Sequence, residues 1–210
     1  MSEDESTRAQ QAERLTSGLL APRAGKGPLV QRDYWAVIAR CREAPTRIVD
    51  VLASRFPDFA PADLVAFRRT DATDRPLAPG DELEVHIRWA GPCRVRVVNR
   101  QPQSVTLATL SGHPEAGRIT FGAYRNDYRD VVFHIRSRAR SGSRTHYLGF
   151  LTAGEAMQTK TWTDFVQSVA YTFGEGIIGA VHADSRRIRD REERESDDTA
   201  CSPTFRAEGG

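Results

Sequence analysis

Two ionisable side chains that could exchange protons with a ligand stand two residues apart in Gly112–Gly117 (GHPEAG). An imidazole titrates near neutral pH, and a nearby carboxylate could orient the ring or act as a base. If this segment lies at the mouth of a cavity, His113 and Glu115 are candidate catalytic residues. The alternative is a shaped turn, because glycine allows positive φ, proline fixes φ, and polar side chains can bind backbone groups nearby.

Other familiar catalytic and metal-binding patterns do not occur in the sequence. The remaining histidines are scattered, with no HExxH motif and no carboxylates at metal-ligand spacing, so we expect no metal site. The chain has no GxSxG, Walker or GxGxxG motif, and we expect no cofactor. Its three cysteines, Cys41, Cys93 and Cys201, are far apart, which is typical of a protein in the reducing cytoplasm.

The composition indicates one domain with polar ends and gives no sign of a nucleic-acid or membrane partner. The 210 residues carry a formal charge of +2, so we expect no global attraction to nucleic acid. No apolar run approaches the roughly 20 residues that span a bilayer. We expect a disordered tail over 1–27, a folded domain over 28–183 and a charged, disordered tail over 184–210.

The GHPEAG segment lies between stretches whose side chains alternate as in β-strands. The alternation is strictest in 131–140, where Phe133 and Ile135 share one face while His134 and Arg136 share the other. The same pattern occurs in 81–89, 93–98, 105–110 and 118–124. Consecutive strands with short turns indicate an antiparallel meander.

Helical segments are expected before and after this meander. An apolar strand over 29–38 precedes Pro45, which opens a short helix that Pro57 ends. The strongest helix is predicted over 159–173, because its apolar side chains recur as one broad stripe. The apolar residues 177–181 are expected to continue this helix after a break.

These elements predict an α+β fold in which an antiparallel sheet of six to seven strands curls around the long C-terminal helix. Curling leaves a space between sheet and helix, which apolar side chains either line as a pocket or fill as a solid core. The expected lining residues are Trp89, Val97, Leu107, Phe121, Phe133 and Ile135 on the sheet, and Trp162, Phe165, Val166 and Val169 on the helix.

The order of these elements, from Tyr34-Trp35 through the helices after Pro45 to the helix from Thr159, resembles the START-like or SRPBCC helix-grip superfamily, which includes polyketide cyclase-like proteins. The stretch 109–117 (TLSGHPEAG) further resembles an SRPBCC-like family with a TLxGHPExG hairpin. The resemblance implies a cavity for a hydrophobic ligand and, in some members, cyclisation or dehydration without a cofactor. It carries over no catalytic residues.

Three functions follow as hypotheses. The first is the binding of a small hydrophobic or amphipathic molecule, and the second is a cyclase- or dehydratase-type lyase or isomerase that uses His113 and Glu115. The third is an interaction module, for example a homodimer. Arg136, Arg138 and Arg140 share one face of a strand that could meet an acidic partner, and the charged C-terminal helix is the other candidate surface. The alternative for that face is a solvated surface with cross-strand charge pairs.

Overall fold

The computed structural model describes residues 13, 15–71, 73–88, 90–142 and 155–188. Two 3₁₀ helices, Pro22–Ala24 and Phe56–Phe59, accompany the main elements. The strands and α-helices are β1 Lys26–Ile38, α1 Pro45–Ser54, β2 Val65–Arg69, β3 Glu82–Ile87, β4 Gly91–Gln101, β5 Ser104–Thr109, β6 Glu115–Arg125, β7 Val131–Ser141, α2 Glu155–Phe173 and β8 Ile177–Arg187.

The strands form one antiparallel sheet in the order β2-β3-β4-β5-β6-β7-β1-β8. The long helix α2 packs against β1, β7 and β8, and its Phe165, Val166 and Val169 are fully buried. The expected α+β helix-grip architecture is therefore confirmed, and the described residues form eight strands where six or seven were expected. None of the helices in the described part of the chain is long and apolar enough to cross a bilayer.

The segment between β1 and β2 fills one half of the concave face. Helix α1 packs against β5 and β6, and the 3₁₀ helix that follows places Phe56 in the core. The Phe56 ring packs edge-on against two other rings, with centroid distances of 4.9 Å to Phe121 and 5.1 Å to Phe67. Its centroid lies 5.5 Å from that of Phe165. Edge-to-face aromatic contacts at these distances are favourable, and Phe56, Phe121 and Phe165 are all fully buried here.

The expectation that 177–181 continue the last helix is wrong, because these residues open β8. Gly174 lies so close to β1 that a Cβ atom there would stand 2.3 Å from the Ala39 carbonyl oxygen. Hydrogen bonds from Glu175 N–H to Ala39 O (2.9 Å) and from Ala39 N–H to Gly176 O (2.8 Å) then turn the chain back along β1. Short apolar runs fit a helix or a strand equally well, and here the pairing with β1 decides.

The sheet also includes residues that were assigned to the two tails. Leu19 forms a β-bridge with Leu110, and the Leu20 N–H donates to Thr109 O at 2.8 Å. Strand β1 begins at Lys26, and β8 continues to Arg187. Within the two expected tails, residues 13, 15–27 and 184–188 are described, while 1–12, 14 and 189–210 lie outside the described residues.

The face of β7 that carries His134 and the arginines forms a largely buried polar network, which includes a cross-strand charge pair but is not solvated as that alternative supposed. His134 is 5% exposed, and its Nε2 lies 2.8 Å from Asp33 Oδ1 on the neighbouring strand β1. Arg136 Nε donates to the same oxygen at 2.6 Å, and Arg138 Nε donates to Gln31 Oε1 at 2.7 Å. These basic side chains are engaged by partners within the fold, which removes the motivation for an acidic partner protein at this face.

Candidate ligand-binding site

A cavity of about 100 Å³ lies between the concave face of the sheet and the first half of α2. Its walls come from β2 to β7, from the hairpin that joins β5 to β6, and from α2. The lining residues are Leu64, Val65, Phe67, Val85, Ile87, Val95, Leu107, Thr109, His113, Pro114, Glu115, Gly117, Arg118, Ile119, Ser137, Ala139, Gln158, Thr161 and Trp162.

The cavity has an apolar end and a polar end. The lining residues of β2, β3 and β4, together with Leu64, are all apolar. The polar lining residues come from β5, the β5–β6 hairpin, β6, β7 and α2, on the other side of the sheet order. Apolar walls with a few converging polar groups are typical of small-molecule sites, because the polar groups orient a ligand that the apolar walls hold.

His113 shapes the hairpin from which the polar end is built. Its Nδ1 accepts a hydrogen bond from the Glu115 backbone N–H at 3.0 Å. Burial lowers the pKa of the His113 imidazole to about 4, although its contact with the Glu115 backbone opposes this, so the ring is neutral at pH 7. The bond to the backbone agrees with the structural role of a shaped turn. The same ring also lines the cavity, so both roles are open to it.

Thr109 and two glycines set the position and shape of this hairpin. The Thr109 Oγ1 accepts a hydrogen bond from the Gly117 N–H at 2.9 Å. A Cβ atom on Gly117 would stand 2.1 Å from the Arg138 carbonyl oxygen, so only glycine allows β7 to approach this closely. Gly112, at φ +91°, takes the left-handed conformation that closes the turn.

The Glu115 carboxyl group lies between the sheet and α2 with 18% of its side chain exposed. Gln158 Nε2 donates to its Oε2 at 3.1 Å, and Arg32 Nη1 lies 3.5 Å from its Oε1. Burial raises the pKa of Glu115, and the charge of Arg32 and the bond from Gln158 oppose the rise only in part. Glu115 is thus a buried carboxyl group that retains its proton to a higher pH than an exposed one.

Three buried polar atoms of lining residues have no hydrogen-bond partner among the described residues. They are Ser137 Oγ, Gln158 Oε1 and Trp162 Nε1. A buried polar group without a partner costs roughly 1–3 kcal/mol, so such groups indicate a place where a ligand or water completes the bonding. Sequence reasoning did not identify Gln158 or Ser137 as site residues, and it treated Trp162 only as an apolar side chain.

Only part of the expected lining set surrounds this cavity. Leu107 and Trp162 line it. The other described members lie in the packed core and are fully buried: Val97, Phe121, Phe133, Ile135, Phe165, Val166 and Val169. None of these seven is among the residues that line this cavity, and Phe56 packs against Phe121 and Phe165 in that half of the concave face. Trp89 lies outside the described residues.

The expected catalytic pair is brought to one place, but its side chains do not bind each other. His113 and Glu115 both line the cavity. The imidazole binds the Glu115 backbone, whereas the carboxyl group faces Gln158 and Arg32. Within the described part of the chain, no three His, Cys, Asp or Glu side chains lie close enough together to hold a metal ion.

Solved structures resemble this fold at very low sequence identity. The KanY protein is 7% identical, with a TM-score of 0.53 over 72% of this chain and 100% of that chain. The hypothetical protein jhp0584 of Helicobacter pylori is 4% identical, with a TM-score of 0.50 over 67% of this chain and 86% of that chain. The Zhui aromatase/cyclase of Streptomyces sp. R1128 is 11% identical, with a TM-score of 0.46 over 68% of this chain and 93% of that chain. Likeness at such identities concerns the fold alone.

The comparison of sequences gives the family. No curated protein matches the chain significantly. The family model described as a domain of unknown function, DUF1990, matches residues 44–168. That match covers more than half of the chain and includes the β5–β6 hairpin and the first part of α2, from which the polar end of the cavity is built. The chain belongs to the DUF1990 family.

Proposed function

We propose that this protein binds a small, mainly apolar molecule in the cavity between its sheet and the first half of α2. The observation that carries the proposal is the combination of apolar walls with three buried polar atoms that have no partner among the described residues. In a solid core, such polar atoms would either have hydrogen-bond partners or be absent, since burying them without partners is costly. A ligand with one polar group would satisfy them and bury its apolar surface at the same time.

The volume of the cavity limits the size of this molecule. At about 100 Å³, the space is well below the roughly 300–1,000 Å³ of pockets that hold drug-sized ligands. It is of the same order as an engineered apolar cavity of about 150 Å³ that binds benzene in another protein. A lipid or a polyketide chain exceeds this volume, so the proposed ligand is about the size of a single ring.

Native mass spectrometry of the protein purified from its own host tests the proposal. We expect a bound species of low mass that survives gentle ionisation and is released on denaturation. The Val95→Trp variant, which fills the apolar end, is expected to lose this species, while Trp35→Phe on the opposite face of the sheet retains it. A ligand-free wild-type protein that also takes up no small aromatic compound in solution would contradict the proposal.

A second candidate function is acid–base catalysis on the bound molecule, and the position of Glu115 favours it. A buried carboxyl group with a raised pKa in a cavity wall is suited to donate a proton. In a dehydration, Glu115 would protonate a leaving hydroxyl group as its C–O bond breaks. The carboxylate left on Glu115 would then accept the proton from the adjacent C–H, whose electrons form the new C=C bond, and water would leave. His113 would hold the hairpin in place, because its Nδ1 lone pair is bonded to the Glu115 N–H.

The enzyme hypothesis has its own test. The molecule released from the cavity is incubated with fresh wild-type protein and with the Glu115→Gln variant. A product lighter by one water, formed by the wild type and at least a hundredfold more slowly by the variant, supports catalysis, in line with the usual contribution of general acids. Unchanged ligand in both samples supports a binding protein without this activity.

A further inference from the structure

The polar atoms at the cavity wall also indicate the chemical class of the ligand. We propose, on the basis of the function proposed above, that the ligand is an uncharged molecule carrying a hydroxyl group, of about the size of phenol. The hydroxyl oxygen would accept a hydrogen bond from Trp162 Nε1–H, and its hydrogen would be donated to Gln158 Oε1.

The three atoms that have no partner in the described part of the chain require both a donor and an acceptor from the ligand. The indole N–H of Trp162 can only donate. Gln158 already uses Nε2 to donate to Glu115, so its Oε1 is fixed as the acceptor. The Ser137 hydroxyl group can do either. A hydroxyl group donates one bond and accepts up to two, and so it can match all of these atoms.

The charges around the cavity favour an uncharged ligand. A ligand carboxylate would face the carboxyl group of Glu115, which lines the cavity, whereas Arg32, 3.5 Å from that group, is not among the lining residues. A ligand cation would compete with Arg32 for that same carboxyl group. The remaining charged residue in the wall, Arg118, alternates onto the opposite face of β6, so its backbone is the part that borders the cavity.

A set of four probes of similar size separates these possibilities. Phenol, toluene, benzoate and benzylamine are titrated into the wild-type protein by calorimetry at pH 7.5. We expect phenol to bind roughly tenfold more tightly than toluene, because two net hydrogen bonds are worth about that factor. Benzoate and benzylamine are expected to bind at least tenfold more weakly than phenol, because burying an ion without a new partner is costly.

The Trp162→Phe variant tests the indole contact directly. It is expected to lower phenol affinity about fivefold and to leave toluene affinity within about twofold, since it removes a donor and retains an aromatic ring. Trp35→Phe, the same change on the opposite face, is the control and leaves both affinities unchanged. In the ¹⁵N-correlated spectrum, phenol should shift the indole N–H signal that disappears in Trp162→Phe, and toluene should shift it less.

Each outcome decides between the two proposals. Equal affinity for toluene and phenol, or tighter binding of benzoate or benzylamine, overturns the hydroxyl assignment and leaves the cavity as a binding site. Loss of phenol affinity in Trp35→Phe but not in Trp162→Phe also overturns it, since the probe then binds elsewhere. No binding of any probe, together with no retained molecule, overturns the proposed function as well.

Discussion

Gln158 donates a hydrogen bond from Nε2 to Glu115 Oε2 at 3.1 Å, and this bond joins α2 to the β5–β6 hairpin across the cavity. This bond connects the two elements that enclose the polar end. The other side-chain atom of the same amide, Oε1, is left without a partner among the described residues. One side chain therefore binds the carboxyl group and leaves an acceptor oxygen in the cavity wall for the proposed ligand.

The buried carboxyl group predicts a pH dependence of stability. Because burial raises the pKa of Glu115, the folded protein keeps a proton that the unfolded chain loses above its ordinary pKa of 4.5. Stability therefore falls as pH rises from 4.5 through the folded pKa, and Glu115→Gln should remove this decline. Urea denaturation over a pH series measures it, with Glu175→Gln on the surface as the control. An unchanged decline in Glu115→Gln would contradict this account.

His113 predicts a dependence of the opposite sign. The unfolded chain binds a proton below pH 6.5, while burial holds the folded pKa at about 4. Stability is therefore lost as pH falls from 6.5 towards 4, and His113→Asn should reduce this loss because asparagine does not titrate there. The asparagine oxygen can still accept the Glu115 N–H, whereas His113→Ala should cost about 1 kcal/mol at pH 8.

The same urea series checks the His113 prediction, with the exposed His86→Asn as the matched control. Equal acid sensitivity of His113→Asn and the wild type would show that the imidazole is already protonated in the folded protein at these pH values.

Two valines on β4 distinguish cavity from core. Val95 lines the cavity, while Val97 is fully buried in the packed half. Val95→Leu should stabilise the protein by about 1 kcal/mol, because the added methylene enters empty apolar space. Val97→Leu should destabilise it by about 2 kcal/mol, because no space exists there. Thermal or urea unfolding measures both, and equal effects would mean that the cavity has been placed wrongly.

The polar network on the opposite face of the sheet predicts that replacing Asp33 lowers the stability of the fold strongly. Burial alone would raise the pKa of Asp33, but hydrogen bonds from His134, Arg136 and Gln31 outweigh it and hold the pKa at about 2. Asp33→Asn leaves these partners without their charge and should cost about 3 kcal/mol at pH 7.

The loss in Asp33→Asn should shrink as pH falls from about 3.8 towards 2, where the wild-type carboxyl group is itself protonated. Asp127→Asn, on the exposed turn after β6, is the control. It should change the free energy of unfolding by less than about 0.5 kcal/mol. A similar small effect of Asp33→Asn would contradict the assigned network.

Alternation of side chains predicted the strands around GHPEAG and the inward face of β7, because a period of two follows directly from the pleat. It could not separate Leu107, which lines the cavity, from Phe121, which lies in the core on the same sheet face. That difference depends on Phe56, which reaches Phe121 from a separate element. Gln158 was missed because a single amide beside an apolar stripe has no distinctive spacing.

The most direct measurement is the position of the bound molecule. In isotope-filtered NMR of the protein loaded with the species retained from its host, or with phenol, we expect contacts between ligand protons and the side chains of Leu107, Ile119 and Trp162. Contacts to Trp35 and His182 on the opposite face, with none to Trp162, would contradict a site between the sheet and α2.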